Sequence, residues 1–197
     1  MGKHSFFAFV NRMRYINRWG LMRNTQTENL QEHSMQVAMI AHALAVFRKK
    51  YFPEAAQIDE NKVAVIAMYH DAGEIITGDM PTPIKYANNE IKKAYKEVEA
   101  LAEAKLLDML PRELKDVYLP ILSHTEENAE EWKLVKAADR ISAYIKCLEE
   151  EKAGNSEFKS AGASILQTIV DLHIPEVDMF IENYISAYSL SLDELQK

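Results

Sequence analysis

Cysteine and glycine are scarce in this sequence, and each scarcity excludes a class of fold. The single Cys147 among 197 residues excludes an intrachain disulfide and is typical of a reducing compartment. Six glycines fall below the usual share of about 7%, and the six prolines stand mostly at the ends of predicted elements. This composition favours long helices over a turn-rich β fold. No apolar run approaches the roughly 18 residues of a membrane span, so we expect a cytoplasmic chain without a membrane partner.

Positive charge is also in short supply. The 23 Lys and Arg residues against 30 Asp and Glu give a net charge of −7. This balance argues against a nucleic-acid polymer as partner, because phosphate backbones require a basic face. The acidity is uneven, since the first 27 residues carry no acidic side chain and five basic ones: Lys3, Arg12, Arg14, Arg18 and Arg23. Such a patch suits a small anion, although a solvated helix face would have the same composition.

Apolar residues recur at helical spacing along nearly the whole chain, and signals for strands are nearly absent. Asn29 and Glu32 have the spacing of a capping pair, and Asp59 precedes another apolar stripe. Pro81 and Pro83 predict an extended loop. We predict helices over residues 5–18, 29–50, 59–76, 90–109, 112–123, 131–153, 157–172 and 176–188. The interpretation is an all-α helical bundle that forms one domain, residues 1–197.

Ionisable side chains extend the apolar stripe of the third predicted helix. The stripe runs through residues 63–67, and its next positions by threes and fours are His70, Asp71 and Glu74. His70 and Asp71 are about 100° apart around a helix axis, and Glu74 lies one turn beyond both. Burying carboxylates is costly unless they are paired or bound to a metal. A cation held by His70 and Asp71 would remove that cost.

Two other predicted helices place a polar residue at the same kind of position. His33 begins the stripe of the second helix, four residues before Val37. Asp139 follows Val135 by four residues, beside the stripe of the sixth helix. The three helices together supply two imidazoles and two carboxylates. This donor set suits a first-row ion such as manganese, cobalt, iron or zinc better than calcium.

Each of these residues also has an ordinary structural interpretation. A histidine such as His33 on an apolar face is commonly a hydrogen-bonded core residue, and Asp139 beside Arg140 fits a surface salt bridge. Glu74 fits a solvated position. The conjunction of all of them on three helices is what favours a shared site.

The order of these residues resembles a known signature. His33, then His70-Asp71 with Glu74 three residues later, then Asp139, is similar to the H…HD…D pattern of HD-domain metal-dependent phosphohydrolases. The segments "INRWGLMRNTQTENLQEHS", "MYHDAGEIITGDMPTPIKY" and "LVKAADRISAYIKCLEE" closely resemble the bacterial 5′-deoxynucleotidases of that superfamily. The match covers nearly the whole chain in order.

The resemblance implies a role for each candidate residue. Four residues would ligate a divalent metal: His33, His70, Asp71 and Asp139. Glu74 would be the acid/base residue. The substrate would meet Arg18, Trp19, Asp71, Asp79, Met80, Pro81, Thr82 and Asp139. Within that set Arg18 would also act in catalysis by stabilising charge on the phosphate, and the indole of Trp19 would leave no room for a 2′-hydroxyl.

The activity that the resemblance implies is metal-dependent hydrolysis of 2′-deoxyribonucleoside 5′-monophosphates to deoxynucleoside and phosphate. The implied cofactor is cobalt, manganese or another first-row transition metal, and the implied assembly is a homodimer. Gly20, where the family pattern has proline, and Gly73 are mild departures that touch no ligand. Two alternatives stay open: an HD-type phosphodiesterase or nucleotide triphosphohydrolase, and a nucleotide-binding module that is not catalytic.

Overall fold

The computed structural model describes residues 4–85 and 87–197, apart from the side chain of Thr82. Helices dominate this part of the chain. They are α1 (Phe6–Val10), α2 (Leu30–Tyr51), α3 (Glu60–Tyr69), α4 (Glu74–Thr77), α5 (Thr82–Lys85), α6 (Asn89–Asp108), α7 (Arg112–Leu122), α8 (Ala129–Lys152), α9 (Lys159–Val170), α10 (Pro175–Asn183) and α11 (Leu192–Leu195). Short 3₁₀ turns cover Asn11–Tyr15, Glu126–Asn128, Ser156–Phe158 and Ile185–Ser189. The predicted all-α class is confirmed.

The central helix α2 begins where the capping pair predicts. The side chain of Asn29 accepts hydrogen bonds from the amides of Gln31 and Glu32, and the carboxylate of Glu32 accepts one from the amide of Asn29. These bonds satisfy amides that the first turn leaves without partners. From this start α2 packs against both α3 and α8.

The predicted helix over 5–18 is too long. The α-helical part ends at Val10 and a 3₁₀ turn ends at Tyr15. Ile16 is extended, and Asn17 pairs with Asn29 in an isolated antiparallel bridge. The residues between them therefore form a closed loop, which we call the 16–30 loop. It carries Arg18 and Trp19 and leads directly into α2.

The predicted helix over 59–76 is interrupted at His70 and Asp71. Asp59 caps α3 as predicted, by accepting from the amides of Asn61 and Lys62. The α-helix then stops at Tyr69, and residues 70–73 form a turn before α4. The amides of residues 72 and 74 bond three residues back, at 2.9 Å each, which is the tighter 3₁₀ pattern. Apolar spacing alone does not reveal such a change of winding.

The loop predicted from the two prolines is shorter than expected. Pro83 lies in the first turn of α5, where its missing N–H costs no helical hydrogen bond. The carbonyl of Pro81 accepts from the amides of Ile84 and Lys85. The loop itself covers residues 78–81 and begins at Gly78, whose φ of 74° favours glycine.

The later helices follow the predictions with shifted ends. The helix predicted over 157–172 begins in a 3₁₀ turn and ends at Val170, and the one predicted over 176–188 ends at Asn183. The helix predicted over 131–153 ends at Lys152, and Gly154, which has a φ of 84°, follows its end.

Buried apolar residues form two clusters, and α2 and the α3–α4 segment pass through both. The large cluster includes Val37 on α2 and Ala67 on α3, together with most of the buried face of α8. The small cluster includes Leu30 and Ala72, packed with α1 and with residues of α6 and α7. His33 therefore lies between the clusters on α2, and residues 70–71 lie between them on the other segment. Within the described residues, no helix has the length and apolar character needed to cross a bilayer.

Candidate active site

Three predicted ligand residues, His33, His70 and Asp71, meet at the junction of the two clusters, and Asp139 lies beside His33. Nε2 of His33 lies 3.1 Å from Oδ1 of Asp139 and 3.5 Å from Oδ2 of Asp71. Nε2 of His70 lies 3.2 Å from the same Asp71 oxygen. One ligand atom from each of His33, His70 and Asp71 falls within 4.8 Å of the other two. Asp139 is not part of this group of three; it lies on the His33 side, with 39% of its side chain exposed.

These separations match a shared metal ion. Ligand atoms about 2.1 Å from one ion, at angles between 90° and the tetrahedral value, lie about 3.0–3.4 Å from each other. Two of the three nitrogen–oxygen distances, 3.1 and 3.2 Å, fall in this range, and the third is slightly longer at 3.5 Å. Two imidazoles with carboxylate oxygens are also the donor types that first-row ions favour.

Outer hydrogen bonds aim both histidines at this point. The hydroxyl of Ser142 donates to the side-chain oxygen of Gln36, 2.6 Å away, so its oxygen accepts from Nδ1–H of His33 at 3.1 Å. Nδ1–H of His70 donates to the carbonyl of Ala67 at 2.7 Å. Both Nε2 atoms are buried and have no hydrogen-bond partner. The bonds at Nδ1 leave the lone pair at Nε2 free, as a metal-ligating histidine requires.

The charges of the cluster stabilise one another. Burial opposes ionisation of Asp71, but His70, His33 and Arg18 hold the pKa of its carboxyl far below its usual range. Partial burial also opposes ionisation of Asp139, but His33 holds its pKa below the usual value. Asp71 raises the pKa of His70 against the effect of burial. The two carboxylates are thus anionic at neutral pH and able to bind a cation.

Arg18 reaches the cluster from the 16–30 loop. Its Nη1 lies 3.4 Å from Oδ2 of Asp71, and its Nε donates to Oε2 of Glu28 at 3.3 Å. Burial lowers the pKa of this guanidinium, but the surrounding carboxylates of Asp71, Asp139 and Glu28 raise it above its usual value. A guanidinium has five N–H donors, so these two contacts leave capacity for phosphate oxygens.

Trp19 adopts a backbone conformation that sequence patterns do not reveal. Its φ of 60° is left-handed, which costs a residue with a side chain about 1–2 kcal/mol. Its amide donates to Oδ2 of Asp79 at 3.2 Å, and its carbonyl accepts from the amide of Met22 at 2.9 Å. Its indole N–H donates to Glu28 at 2.9 Å and its ring packs 5.3 Å from that of Phe158. These contacts fix the backbone and the ring of this half-buried residue.

The predicted nucleoside-binding loop lies beside Trp19. Asp79, Met80 and Pro81 are half-buried. Burial raises the pKa of Asp79, and its bond to the Trp19 amide joins this loop to the 16–30 loop. Thr82 begins α5, and its side chain lies outside the described residues.

Glu74 stands at the start of α4, next to the cluster. Burial, with the charges of Asp71 and Asp79, raises the pKa of Glu74 to about 9. Its Oε2 is buried and has no hydrogen-bond partner. The side chain is therefore a protonated acid at neutral pH when no metal is bound, which is a state suited to proton transfer.

Three residues of this site carry no signal in the sequence. Glu28 accepts from Arg18 and Trp19, while Ser142 and Gln36 orient His33. Ser142 and His33 are 109 positions apart in the chain, so only the packing of α2 on α8 unites them. The proximity of Glu28 to Arg18 depends on the closed loop, which apolar spacing does not predict.

Solved structures with this architecture are known. An HD-domain phosphohydrolase from Listeria innocua superposes with a TM-score of 0.81 over 100% of this chain and 93% of that chain, at 21% identity. The HD phosphohydrolase DatZ of cyanophage S-2L, solved with dA and one catalytic Zn²⁺, superposes with a TM-score of 0.62 over 91% and 95% of the two chains, at 17% identity. The predicted HD-domain fold is confirmed.

Known proteins with higher sequence identity to this chain are 5′-deoxynucleotidases. A 5′-deoxynucleotidase from Photorhabdus temperata is 50% identical over 96% of this chain and 95% of that protein. A 5′-deoxynucleotidase from Escherichia coli O127:H6 is 46% identical over 100% and 98% of the two chains. The sequence model of the YfbR-like 5′-deoxynucleotidase family matches residues 5–188 of this chain. The chain belongs to the YfbR-like 5′-deoxynucleotidase family.

Proposed function

We propose that this chain hydrolyses 2′-deoxyribonucleoside 5′-monophosphates to deoxynucleoside and phosphate with the help of a divalent metal. The observation that supports this most is the convergence of His33, His70, Asp71 and Asp139 beside Arg18. The family and its relatives named 5′-deoxynucleotidase supply the substrate class.

The four converging side chains would hold cobalt, manganese or another first-row ion. When bound, such an ion would polarise the phosphoryl group and favour attack by water at phosphorus. The unpartnered Nε2 atoms of His33 and His70 support this assignment. Asp71 and Asp139 would also lie close to the phosphate, because their oxygens border the same point.

Arg18 and Glu74 would have different roles in the phosphoryl transfer. The planar guanidinium of Arg18 matches phosphate oxygens and stabilises the charge that develops on them. Asp71 and Glu28 hold it in place. Burial and the charges of Asp71 and Asp79 raise the pKa of Glu74 in the metal-free protein, so its carboxyl can hold a proton in this site. It would give that proton to the departing 5′ oxygen or orient the attacking water.

Trp19 and the loop after Gly78 would contact the nucleoside. The indole is held by Glu28 on one edge and by the ring of Phe158, so it would form a rigid wall against the sugar that excludes a 2′-hydroxyl. The carboxylate of Asp79 would accept from a sugar hydroxyl. Met80, Pro81 and Thr82 would complete the nucleoside side.

A substrate screen tests this function. Purified protein depleted of metal is assayed for phosphate release from dAMP, dTMP and AMP, with and without added Mn²⁺ or Co²⁺. We expect release that requires metal and is much faster with the deoxynucleotides. Preferred cleavage of triphosphates or cyclic dinucleotides would indicate the alternative HD-type enzymes. Thermal stabilisation by nucleotide without phosphate release would indicate a binding module.

We also propose that the protein is a cytoplasmic homodimer. Cys147 is the single cysteine of the sequence and is unpaired, which fits a reducing compartment. On α2, Met35 and Met39 are 52% and 62% exposed, one turn apart, and border an open groove of about 620 Å³ with Arg14. Exposed apolar groups with a polar rim are typical of protein interfaces.

The mass in solution tests the dimer. We expect light scattering to give about twice the chain mass, and the Met39→Glu variant to give the mass of a monomer. Leu101→Glu, which changes another exposed apolar residue on a helix, is the control and should remain dimeric. A wild-type protein that is monomeric would contradict the proposal.

A further inference from the structure

The 16–30 loop is closed at its neck by backbone hydrogen bonds. The amide of Arg18 donates to the carbonyl of Glu28 at 2.9 Å, and the amide of Leu30 donates to the carbonyl of Ile16 at 3.0 Å. Residues 18 and 28 are thus direct neighbours although ten positions separate them. The neck continues into α2, three residues before His33.

The carboxylate of Glu28 lies at the centre of this neck. Its Oε2 accepts from the indole N–H of Trp19 at 2.9 Å and from Nε of Arg18 at 3.3 Å. Its Oε1 lies 3.6 Å from Nδ1 of His33. The side chain is 13% exposed. One carboxylate therefore touches both residues that face the substrate and lies next to a metal ligand.

We propose that Glu28 is a positioning residue that fixes the indole of Trp19 and the guanidinium of Arg18, and that it thereby determines the preference for deoxyribose. This inference rests on the proposed function and adds a residue to it. An indole has a single N–H donor, so the bond to Glu28 selects one orientation of the ring. The indole can exclude a 2′-hydroxyl only if its ring cannot rotate away from the sugar.

The distances favour a role in positioning the loop over a role in orienting the metal ligand. The Glu28 oxygen lies 3.6 Å from Nδ1 of His33, close enough for His33 to hold the pKa of Glu28 low against the effect of burial, whereas the hydroxyl of Ser142 lies 3.1 Å from the same Nδ1 and makes a hydrogen bond with it. Ser142 therefore orients the metal ligand. Loss of Glu28 should free Trp19 and Arg18 while the ion still binds.

Two substitutions of Glu28 separate its hydrogen bond to Trp19 from its charge opposite Arg18. Glu28→Ala removes the acceptor for both Trp19 and Arg18. Glu28→Gln keeps a side-chain oxygen that accepts from the indole but removes the negative charge opposite Arg18. We expect Glu28→Ala to reduce the ratio of kcat/KM for dAMP over AMP about tenfold or more, the factor that corresponds to one lost hydrogen bond to a charged group. We expect Glu28→Gln to keep that ratio and to raise KM.

A spectroscopic measurement tests the same inference without turnover. The chain has two tryptophans, and in a Trp132→Phe background Trp19 is the remaining fluorophore. Trp132 has a buried indole N–H without a hydrogen-bond partner, so phenylalanine suits its site. Glu28→Ala should give faster local depolarisation of Trp19 fluorescence, and Glu28→Gln should restore the slow decay.

Glu157→Ala is the matched control. Its carboxylate also accepts from the 16–30 loop, at the amide of Arg23, but it does not contact Arg18 or Trp19. Its depolarisation, sugar preference and metal affinity should equal those of wild type. An unchanged Trp19 decay and sugar preference in Glu28→Ala would overturn the inference, as would a loss of metal affinity that accounts for the whole effect. Wild type that releases no phosphate would instead refute the proposed function, and the depolarisation would still test Glu28.

Discussion

Glu74 is a partly buried carboxyl beside the metal cluster. Burial and two neighbouring carboxylates raise its pKa to about 9, but it lies outside the group of atoms that could hold the metal. Proton transfer by a positioned side chain contributes about 10²–10⁴-fold to a rate. We therefore expect Glu74→Gln to lower kcat by about that factor while metal content stays at the wild-type value, as measured by phosphate release and elemental analysis.

The control for this substitution is Glu103→Gln. Burial also raises the pKa of Glu103, which accepts from the hydroxyl of Ser123, away from the metal cluster. Its kcat should be unaffected. An unaffected kcat in Glu74→Gln would remove Glu74 from the mechanism, and a loss of metal would make it a ligand instead.

Ser142 is a second residue with a testable role, because it fixes the ring of His33. Outer partners of metal-ligating histidines typically contribute about 10–100-fold to metal affinity. Ser142→Ala should lower the affinity for Mn²⁺ by that factor in a calorimetric titration. Ser34→Ala removes a buried hydroxyl that has no hydrogen-bond partner, next to His33 in the chain, and should not alter the affinity. Equal affinities in the two variants would contradict the assignment.

The sequence predicts which residue types form the site better than it predicts the hydrogen-bond partners of these residues. Two imidazoles and two carboxylates on apolar stripes were sufficient to predict a common site, because buried charges need compensation. Glu28 and Ser142 were missed because their contacts depend on a closed loop and on a helix pair. The ligand roles themselves stay predictions until metal analysis tests them.

Among the elements, α8 both shapes the site and anchors the loop that carries Arg18. Glu150 near its end is 1% exposed and accepts from the amide and hydroxyl of Thr25 at 2.9 and 2.7 Å, from the side chain of Asn155 at 2.9 Å, and from the buried Lys146. Burial opposes its ionisation, but these donors, with Lys146 foremost, hold the pKa of Glu150 far below its usual value. The carboxylate of Glu150 therefore helps to tie the loop to the bundle.

The depressed pKa of Glu150 predicts how stability depends on pH. Because the folded state ionises this group more readily than the unfolded state, its contribution is fully present above the unfolded pKa of about 4.5. It is lost as the pH falls from there toward the folded pKa. Glu150→Gln leaves Lys146 buried without its charge partner and should lower the free energy of unfolding at neutral pH by about 3–5 kcal/mol. Urea titrations at several pH values measure both effects.

The exposed Glu151 provides the comparison for Glu150. Glu151→Gln should keep the neutral-pH stability and the acid dependence of wild type. Glu150→Gln should show a smaller fall in stability below pH 4.5 than wild type does. A wild-type acid dependence in Glu150→Gln would assign the pH effect to other groups.

Helix positions could be predicted where a cap and a long stripe agree. Asn29 and Asp59 mark the starts of α2 and α3, since their side chains satisfy the first amides. The turn at residues 70–73 and the 3₁₀ turn before Ile16 were not predicted. Both depend on tertiary contacts: one delivers His70 and Asp71 to the site, and the other begins the closed loop. Apolar periodicity continues through such breaks and does not reveal them.

For the whole molecule, the position of the site between two apolar clusters has a mechanical consequence. Leu30 and Val37 flank His33 on α2, one in each cluster, and Ala67 and Ala72 flank residues 70–71 in the same way. An ion at the junction would therefore connect both clusters. The prediction of one domain over residues 1–197 depends on whether they unfold together.

Metal binding and hydrogen exchange test that prediction. A metal ion whose free concentration is 100 times its dissociation constant should raise the free energy of unfolding by about 2.7 kcal/mol, if it binds only the folded state. We expect amides of α2 and α8 in the large cluster and of α6 and α7 beside the small cluster to lose protection at the same denaturant concentration, and Mn²⁺ to raise that concentration equally for all four helices. Asp71→Asn, which removes a carboxylate shared by both histidines, should abolish the metal effect but keep the transitions coincident. Separate transitions for the two helix pairs in wild type would show two folding units and contradict the prediction of one domain. Mn²⁺ that raised the denaturant concentration of one pair alone would lead to the same conclusion.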